Sequence, residues 1–423
     1  MTPSIRLLGK RRFLPLFVTQ FLGAFNDNLF RMAMVILVTY HIYSDPAKEA
    51  SFTALAGAIF ILPFFLFSAL AGQLADSTDK ARIIRIVKTA EIIIMVAGAA
   101  GLLLQSIPLM LLALFAMGVH STFFGPIKYA ILPQHLRKDE VLGGTGLVEA
   151  GTYCAILLGT ITGGLISNVA AAGAVLLVAA VGRLAGGQVP PAPPETDVPL
   201  PKMDWHIIRS SITLVSDTLH IPRLFLAIIA ISFFWAQGAV LAALFPPLVK
   251  NVLSANEQVA TLFLAIFSVG VALGSVLINR LLAGRVSARY SPAASIGMGL
   301  FILHLYWNVK NWPVPQRTLM DFWTFVKLPR AEWVMFDLFG VAIAGGMFVV
   351  PLYAFLTTTV HISKTARTVA ANNIVNSGAM VLAAILFSAM VQAGVSVAET
   401  LLLVAVSSLG AAWLAWKLHL ACD

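Results

Sequence analysis

Apolar residues run in long blocks separated by short polar turns, and these blocks rather than any shorter period organise the chain. About 20 consecutive apolar residues carry a helix across the hydrocarbon core of a bilayer. Twelve stretches predict such helices: residues 13–40, 52–75, 83–105, 107–131, 142–168, 170–184, 222–249, 258–281, 289–307, 333–357, 367–393 and 396–418, the sixth being short. One break divides them. GGQVPPAPPETDVPLPK, Gly186–Lys202, is too rich in proline to cross a membrane as a helix and leaves six spans on each side. Directly after it Trp205, Ile208, Ile212, Val215 and Leu219 recur at helical spacing, with Asp204 placed as N-cap and Arg209 among the polar positions. That pattern predicts a helix lying on the membrane surface. The expected organisation is an N-terminal six-helix bundle over 1–185, a linker with its amphipathic helix over 186–221, and a C-terminal six-helix bundle over 222–423.

Composition agrees with a polytopic all-α membrane protein. The 423 residues are 59% hydrophobic and 11% charged, against about 25% charged in ordinary soluble chains. The net charge of +9 is spread over short clusters between spans, the distribution of topogenic charge rather than of a nucleic-acid-binding face. Basic residues such as Arg6, Lys10, Arg11, Arg12, Arg137, Lys138, Lys202 and Arg209 collect on one side, while the other holds only Lys48, Lys250, Lys310, Arg317, Lys327 and Arg330. Both termini are therefore expected in the cytoplasm. MTPSIRLLGKRR looks like the start of a signal peptide, but the run after it, Phe13–Tyr40, is too long and lacks a small-residue cleavage site, so it reads as a retained first span. The segment 307–333 becomes the one long outward-facing connection. Its Trp307, Trp312, Phe322, Trp323, Phe325 and Trp333 suit the headgroup region as an anchor; a lateral gate or lipid-collecting ledge is the alternative.

No enzyme is expected. The chain has no GxxxxGKS loop, HExxH pair or GxSxG elbow, and its short loops leave no room for a catalytic domain. Two cysteines, Cys154 and Cys422, make neither a disulfide framework nor a metal site, and no cofactor is expected.

Chemistry has to be sought among polar groups inside the spans, where an ionised side chain costs at least about 2.5–3.5 kcal/mol and must face a partner or a wet cavity. TQFLGAFNDNLFRM, Thr19–Met32, concentrates Gln20, Asn26, Asp27, Asn28 and Arg31 in the first span. Arg31 lies one turn beyond Asp27, so the two can neutralise each other, but that accounts for one pair and not five polar groups. Glu149 lies in the fifth span among glycines, where Gly159 and Gly163 permit close helix approach. The eleventh span carries Asn372, Asn373 and Asn376, with Asn373 matched to Glu149, and Gln237 holds in the seventh span the place of Asp27 in the first. These positions line a central cavity or join helices. His120 is either a packing residue or a proton relay, Lys128 can snorkel to the cytoplasmic side, and Lys88 and Glu91 are spaced to pair with each other.

The two halves echo one another: FFGPIKYAILPQHL in the fourth span answers FVVPLYAFLTTTVHI in the tenth, and GQLADSTDKARI after the second answers GSVLINRLLAGR after the eighth. Such repeats place a transported substrate where two halves meet. Six plus six spans with these marks resemble the major facilitator superfamily. GQLADSTDKAR, with Gly72, Asp76, Lys80 and Arg82, looks like that superfamily's loop motif, which acts as a conformational gate; Ser77 and Thr78 depart from its usual basic and glycine positions. FLPLFVTQFLGAFNDNLFRMAMVILV, GQLADSTDKARIIRIVKTAEI, FFGPIKYAILPQ, LVEAGTYCAILLGTITGG and ARTVAANNIVN together resemble the bacterial lysophospholipid transporters, and IRIVKTAEI those fused to an acyltransferase and an acyl-carrier-protein ligase.

The resemblance implies a monomeric multi-pass flippase of the bacterial inner membrane. It would carry lysophosphatidylethanolamine and lysophosphatidylglycerol from the outer to the inner leaflet for re-acylation, by alternating access with lateral opening to lipid. Membrane lipids, and an acyltransferase or acyl-carrier-protein ligase acting in trans, are the implied partners. Asp27, Asn26, Asn28, Arg31, Gln20, Glu149, Gln237, Asn372, Asn373, Asn376, His120 and Lys128 become the candidate substrate path. The same architecture also serves a transporter of another amphipathic drug or solute. A non-transporting scaffold that recruits an acyltransferase through residues 205–219 is a third reading.

Overall fold

A computed structural model describes residues 5–42, 46–194, 203–313 and 319–422. Residues 195–202 of the proline-rich linker, with Lys202, and 314–318 of the aromatic segment, with Arg317, lie outside the described residues. The helices are α1 (Leu14–Leu37), α2 (Pro46–Ser77), α3 (Lys80–Leu103), α4 (Ile107–Ala130), α5 (Leu132–His135), α6 (Lys138–Leu165), α7 (Asn168–Gly187), α8 (Ile207–Leu219), α9 (Pro222–Pro247), α10 (Glu257–Leu281), α11 (Ser291–Lys310), α12 (Phe322–Val326), α13 (Pro329–Thr359), α14 (Thr365–Gln392) and α15 (Val397–Cys422). Ten of them are long and apolar enough to cross a membrane. α1 and α11, of 24 and 20 residues, have the length but dilute it with polar side chains, chiefly the Gln20–Arg31 group in α1. Helices are the expected solution, since in lipid each backbone N–H and C=O must be satisfied within its own segment. Some of their N-termini are closed by side chains: Asp79 accepts from Ala81 N at the start of α3, and Asn256 from Gln258 N at the start of α10.

The chain divides into two compact units, one comprising residues 1–218 and 356–374, the other 219–355 and 375–423. In the first unit α1 lies against α6 and α7, α2 against α4, and α3 against α4 and α7. The α1–α6 contact is as close as backbones allow: a Cβ at Gly159 would lie 2.3 Å from Phe25 O and one at Gly163 2.4 Å from Leu29 O. Leu29, Phe30, Met34 and Leu37 of α1 form a buried cluster with Met95, Leu102, Met110 and Val175. The start of the linker straps this unit. Lys80 N donates to Ala192 O, Gln134 Nε2 to Pro193 O, and His135 Nε2 lies 3.3 Å from Pro191 O.

Trp205, just before the linker helix α8, and Ile208 and Ile212 on it face outward, each at least 65% exposed, while Ser210 and Thr218 are buried. Apolar residues on the outside and hydroxyls on the inside invert the soluble pattern and suit a helix lying on lipid. Asp204 does not cap it directly: its carboxylate accepts from His206 N and pairs with Arg209, one turn before the helix proper.

In the second unit α15 lies against α9 and α11, and Phe245, Phe263, Ile302, Leu305, Phe325, Val334 and Leu338 share one buried cluster. The aromatic segment divides its residues between two roles. Trp307, Trp323 and Trp333 are exposed, but Phe325 is fully buried and Trp312 stacks on it at 6.0 Å. Phe325 is thus core and Trp312 packs half-buried against it, where Met320 ties the segment to the α10 side through Ser254 O and Asn256 N.

Candidate functional site

The polar face of α1 resolves into separate partnerships. Asp27 is half-buried and its carboxylate accepts from Ser121 Oγ of α4 at 2.6 Å. Arg31 donates to Asn28 Oδ1 at 2.8 Å and lies 5.8 Å from the Phe60 ring, so Asp27 and Arg31 are electrostatic neighbours without being hydrogen-bonded to each other. Asn28 spends its amide on Ala24 O. Gln20 is buried and accepts from Thr152 Oγ1 of α6 at 3.0 Å. Asn26, fully buried, turns away from Asp27 and donates to Glu91 Oε1 at 3.0 Å and to Val175 O.

Asn26 leads to a charged cluster in the core of the unit. Lys88 Nζ bonds Glu91 Oε2 at 2.5 Å, both side chains being essentially sealed from solvent. His120 Nε2 stands 3.3 Å from the same oxygen, out of line for a hydrogen bond. The Lys88 ammonium passes beside Gly23, where a Cβ would sit 2.8 Å from Nζ. Ser121, next to His120, joins this cluster to the α1 face by its bond to Asp27. Pairing of Lys88 with Glu91 follows from their spacing; the arrival of Asn26 and His120 at the same carboxylate does not.

Glu149 of α6 is buried and accepts from Tyr129 OH, with Lys128 as an electrostatic neighbour; the Lys128 ammonium lies 4.8 Å from the Tyr129 ring. Asn373 reaches toward Gly125 of α4. Asn372 is fully buried and neither of its amide atoms has a partner among the described residues.

The loop-motif residues meet the start of α14. Asp76 accepts from Ala366 N at 3.0 Å, Arg367 N at 3.1 Å and Arg367 Nε at 3.2 Å. The first two are backbone N–H groups of the first turn, the kind left without an intrahelical acceptor, so Asp76 caps α14 from another helix, and the third is an ion pair with the Arg367 side chain. Gly72 makes room: a Cβ there would lie 2.6 Å from Ala370 Cβ and 2.9 Å from Arg367 Cα. Lys80 is buried and adds an electrostatic contact to Asp76. Arg82 is exposed and is not among the partners of Asp76; Arg367 supplies the guanidinium there.

In the second unit Gln237 donates through Nε2 to Ser407 Oγ at 2.7 Å and Ser408 Oγ at 3.1 Å of α15. Asn376 accepts from Ser232 Oγ at 2.8 Å and points its amide at Tyr353 OH, which also accepts from Trp235 Nε1. Near the aromatic segment His304 Nδ1 and Asn308 Nδ2 lie 2.7 and 2.9 Å from the two oxygens of buried Asp337.

Ser121, Tyr129 and Arg367 escape a reading of the sequence. Isolated hydroxyls are common in membrane helices, and Arg367 looks topogenic until its backbone is seen around Asp76. No group of three or more His, Cys, Asp or Glu side chains able to hold a metal ion occurs among the described residues.

Residues 16–307 match the Major Facilitator Superfamily. The lysophospholipid transporter LplT of Pectobacterium carotovorum subsp. carotovorum (strain PC1) is 28% identical over 387 residues, 90% of this chain and 86% of that protein. LplT of Salmonella newport (strain SL254) is 27% identical over 406 residues, 93% and 92% of the two chains. Among solved structures the human organic anion transporter MFSD10 (TETRAN) superposes with a TM-score of 0.73 at 13% identity, over 99% of this chain and 100% of that one. FucP in its outward conformation gives 0.70 at 10% identity, over 96% and 98%; at such identities the likeness is one of fold. Long apolar helices, charges sequestered among them and these relatives together describe a multi-pass transporter of the bacterial inner membrane, and the chain belongs to the Major Facilitator Superfamily.

Proposed function

We propose that this protein moves lysophospholipid, lysophosphatidylethanolamine and lysophosphatidylglycerol, from the outer to the inner leaflet by alternating access with lateral opening to lipid. On this reading twelve helices span the membrane with both termini cytoplasmic, α1 and α11 joining the ten apolar ones. The chain acts as a monomer and delivers its cargo to an acyltransferase working in trans.

One observation carries the reading: Asp27 and Arg31 stand a turn apart on α1, each hydrogen-bonded among the described residues to one neutral partner, Ser121 and Asn28. An anion and a cation with bonding capacity to spare match the ammonium and phosphate of a zwitterionic head group, and charge-assisted bonds are the strong ones. Asn28, Lys128 and Glu149 extend the polar path, with Gln20, His120, Gln237, Asn372, Asn373 and Asn376 as its further members. Asn26 serves by holding Glu91. Gly72, Asp76 and Lys80 form the gate with Arg367, holding α14 against α2. The relatives named as lysophospholipid transporters support the choice of cargo.

The test is translocation of labelled lysophosphatidylethanolamine across proteoliposome leaflets. Wild-type protein should outpace protein-free vesicles, and Asp27→Asn should lose at least about tenfold of that rate, the scale of one charge-assisted bond. Wild-type movement no faster than the protein-free control would reject the proposal.

A further inference from the structure

One stripe of α11 is apolar and exposed: Ile296, Leu300, Leu303 and Trp307 recur at three- and four-residue spacing, each at least 44% exposed. On a membrane helix such a stripe lies against lipid tails, which are as apolar as leucine. His304 stands on the same stripe, one turn beyond Leu300. Its ring meets that of exposed Trp333 of α13 at 5.7 Å between centroids, and Trp333 continues to exposed Phe336 at 5.9 Å. Indole rings settle at the head-group level of a bilayer, so Trp307 and Trp333 set His304 at that depth.

What stands behind His304 separates it from an ordinary interfacial histidine. Asp337 of α13 has no exposed surface, and its two oxygens face His304 Nδ1 at 2.7 Å and Asn308 Nδ2 at 2.9 Å. His304 is its one ion-pair partner among the described residues. A sealed carboxylate without a compensating charge is costly enough in a membrane that the pair has to be neutral overall. Two arrangements achieve this: a carboxylate beside an imidazolium, or a carboxylic acid that donates to Nδ1 of a neutral ring. In both, Nε2 carries a hydrogen, because a neutral ring that accepts at Nδ1 holds its proton on the other nitrogen.

Nδ1 is turned in to Asp337, the side chain is 46% exposed, and Nε2 has no hydrogen-bond partner among the described residues. The fold thus presents one oriented N–H on a lipid-facing stripe at head-group depth. Of the acceptors found at that depth, the phosphate oxygens of lipids make the strongest bonds, being charged. Leu300, Leu303 and Phe336, all exposed, continue the surface with room for an acyl chain.

We infer that His304, oriented by Asp337 and Asn308, holds the phosphate of a membrane glycerophospholipid whose chain lies along Leu300, Leu303 and Phe336. The occupant is a lipid and not a free anion, since the donor opens onto the stripe that lipid tails cover. None of these residues belongs to the proposed cargo path, so the site goes beyond the transport reading and stands or falls without it.

The experiment uses the full chain in detergent micelles and a dioleoyl phosphatidylglycerol that carries a diazirine on its head group. In wild-type protein the crosslinks should fall on residues 300–310 of α11 and 330–337 of α13. Unlabelled dioleoyl phosphatidylglycerol should compete at least about tenfold better than dioleoylglycerol, which keeps both chains and lacks the phosphate, the scale of one charge-assisted bond. Inorganic phosphate at the same concentration should not compete. These arms need no variant, so misfolding cannot mimic their result.

His304→Gln should abolish the preference for the phosphate-bearing lipid, and His304→Arg, which keeps a cationic donor beside Asp337, should retain most of it. If His304 only packs α11 against α13, both variants shift the unfolding temperature and leave the preference alone. Crosslinks confined to other helices, equal competition by dioleoylglycerol, competition by inorganic phosphate, or a preference that survives His304→Gln would each overturn the inference. Leaflet translocation of labelled lysophosphatidylethanolamine is scored separately, so a failure of transport leaves this result intact and the reverse holds as well.

Discussion

A lysine with no exposed surface is tolerable inside a membrane protein only if its charge is answered, and Lys88 is answered by Glu91 at 2.5 Å. Glu91 is in turn held by Asn26 and neighboured by His120, so removing one partner strands a charge among neighbours that cannot hydrate it. Lys88→Met should therefore destabilise the protein by roughly 3–5 kcal/mol, while the double variant Lys88→Met/Glu91→Leu should recover most of that loss. Thermal unfolding in detergent measures both. Equal stability of the single and double variants would show that the pair is not what holds Glu91. Asp27 is a different kind of residue: it is half-buried and bonded to the Ser121 hydroxyl, with no opposite charge hydrogen-bonded to it among the described residues.

Among the elements, the start of α14 depends on a side chain from α2. Asp76→Ala removes three hydrogen bonds at once from the first turn, and about 1–3 kcal/mol of local stability should go with them. Hydrogen exchange at the amides of Ala366 and Arg367 should accelerate accordingly, with helices remote from α14 unchanged. The linker strap has its own sensitivity. His135 faces Pro191 O through Nε2, so the ring carries its proton there, and Nδ1 is buried with no partner among the described residues. Burial pushes the His135 pKa below its ordinary 6.5. A base whose folded pKa lies below its unfolded value adds stability that is complete above the unfolded value and is lost as pH falls through the folded one. Limited proteolysis of the linker should thus be slow at neutral pH and faster at mildly acidic pH, and His135→Gln should flatten that dependence.

At the scale of the whole molecule, the orientation proposed from charge asks to be checked directly. With Cys154 and Cys422 replaced by serine, Lys310→Cys should react with an impermeant maleimide in intact cells and Lys138→Cys only after permeabilisation; the reverse pattern would invert the topology. Much of this scale was legible in the chain. Runs of about 20 apolar residues predict helices because lipid leaves the backbone no other partners, and the loop motif with the six-plus-six repeat resembles the superfamily. The aromatic segment was only half legible, since of residues alike in chemistry Trp312 packs half-buried on Phe325 while Trp323 is exposed, beside the bridge of Met320 to Ser254. By itself the sequence determined that the chain is built of long apolar helices and roughly where they run, that Asp27 and Arg31 share a face, and that Lys88 and Glu91 are a turn apart, because these follow from apolar length and the helical period alone. Only the tertiary structure decided that Asp27 meets Ser121, that Asn26 meets Glu91, that Asp76 caps α14 and that Gln237 is anchored on α15. Those partners lie tens to hundreds of residues apart, and the period of one helix does not say which neighbour its polar face will meet.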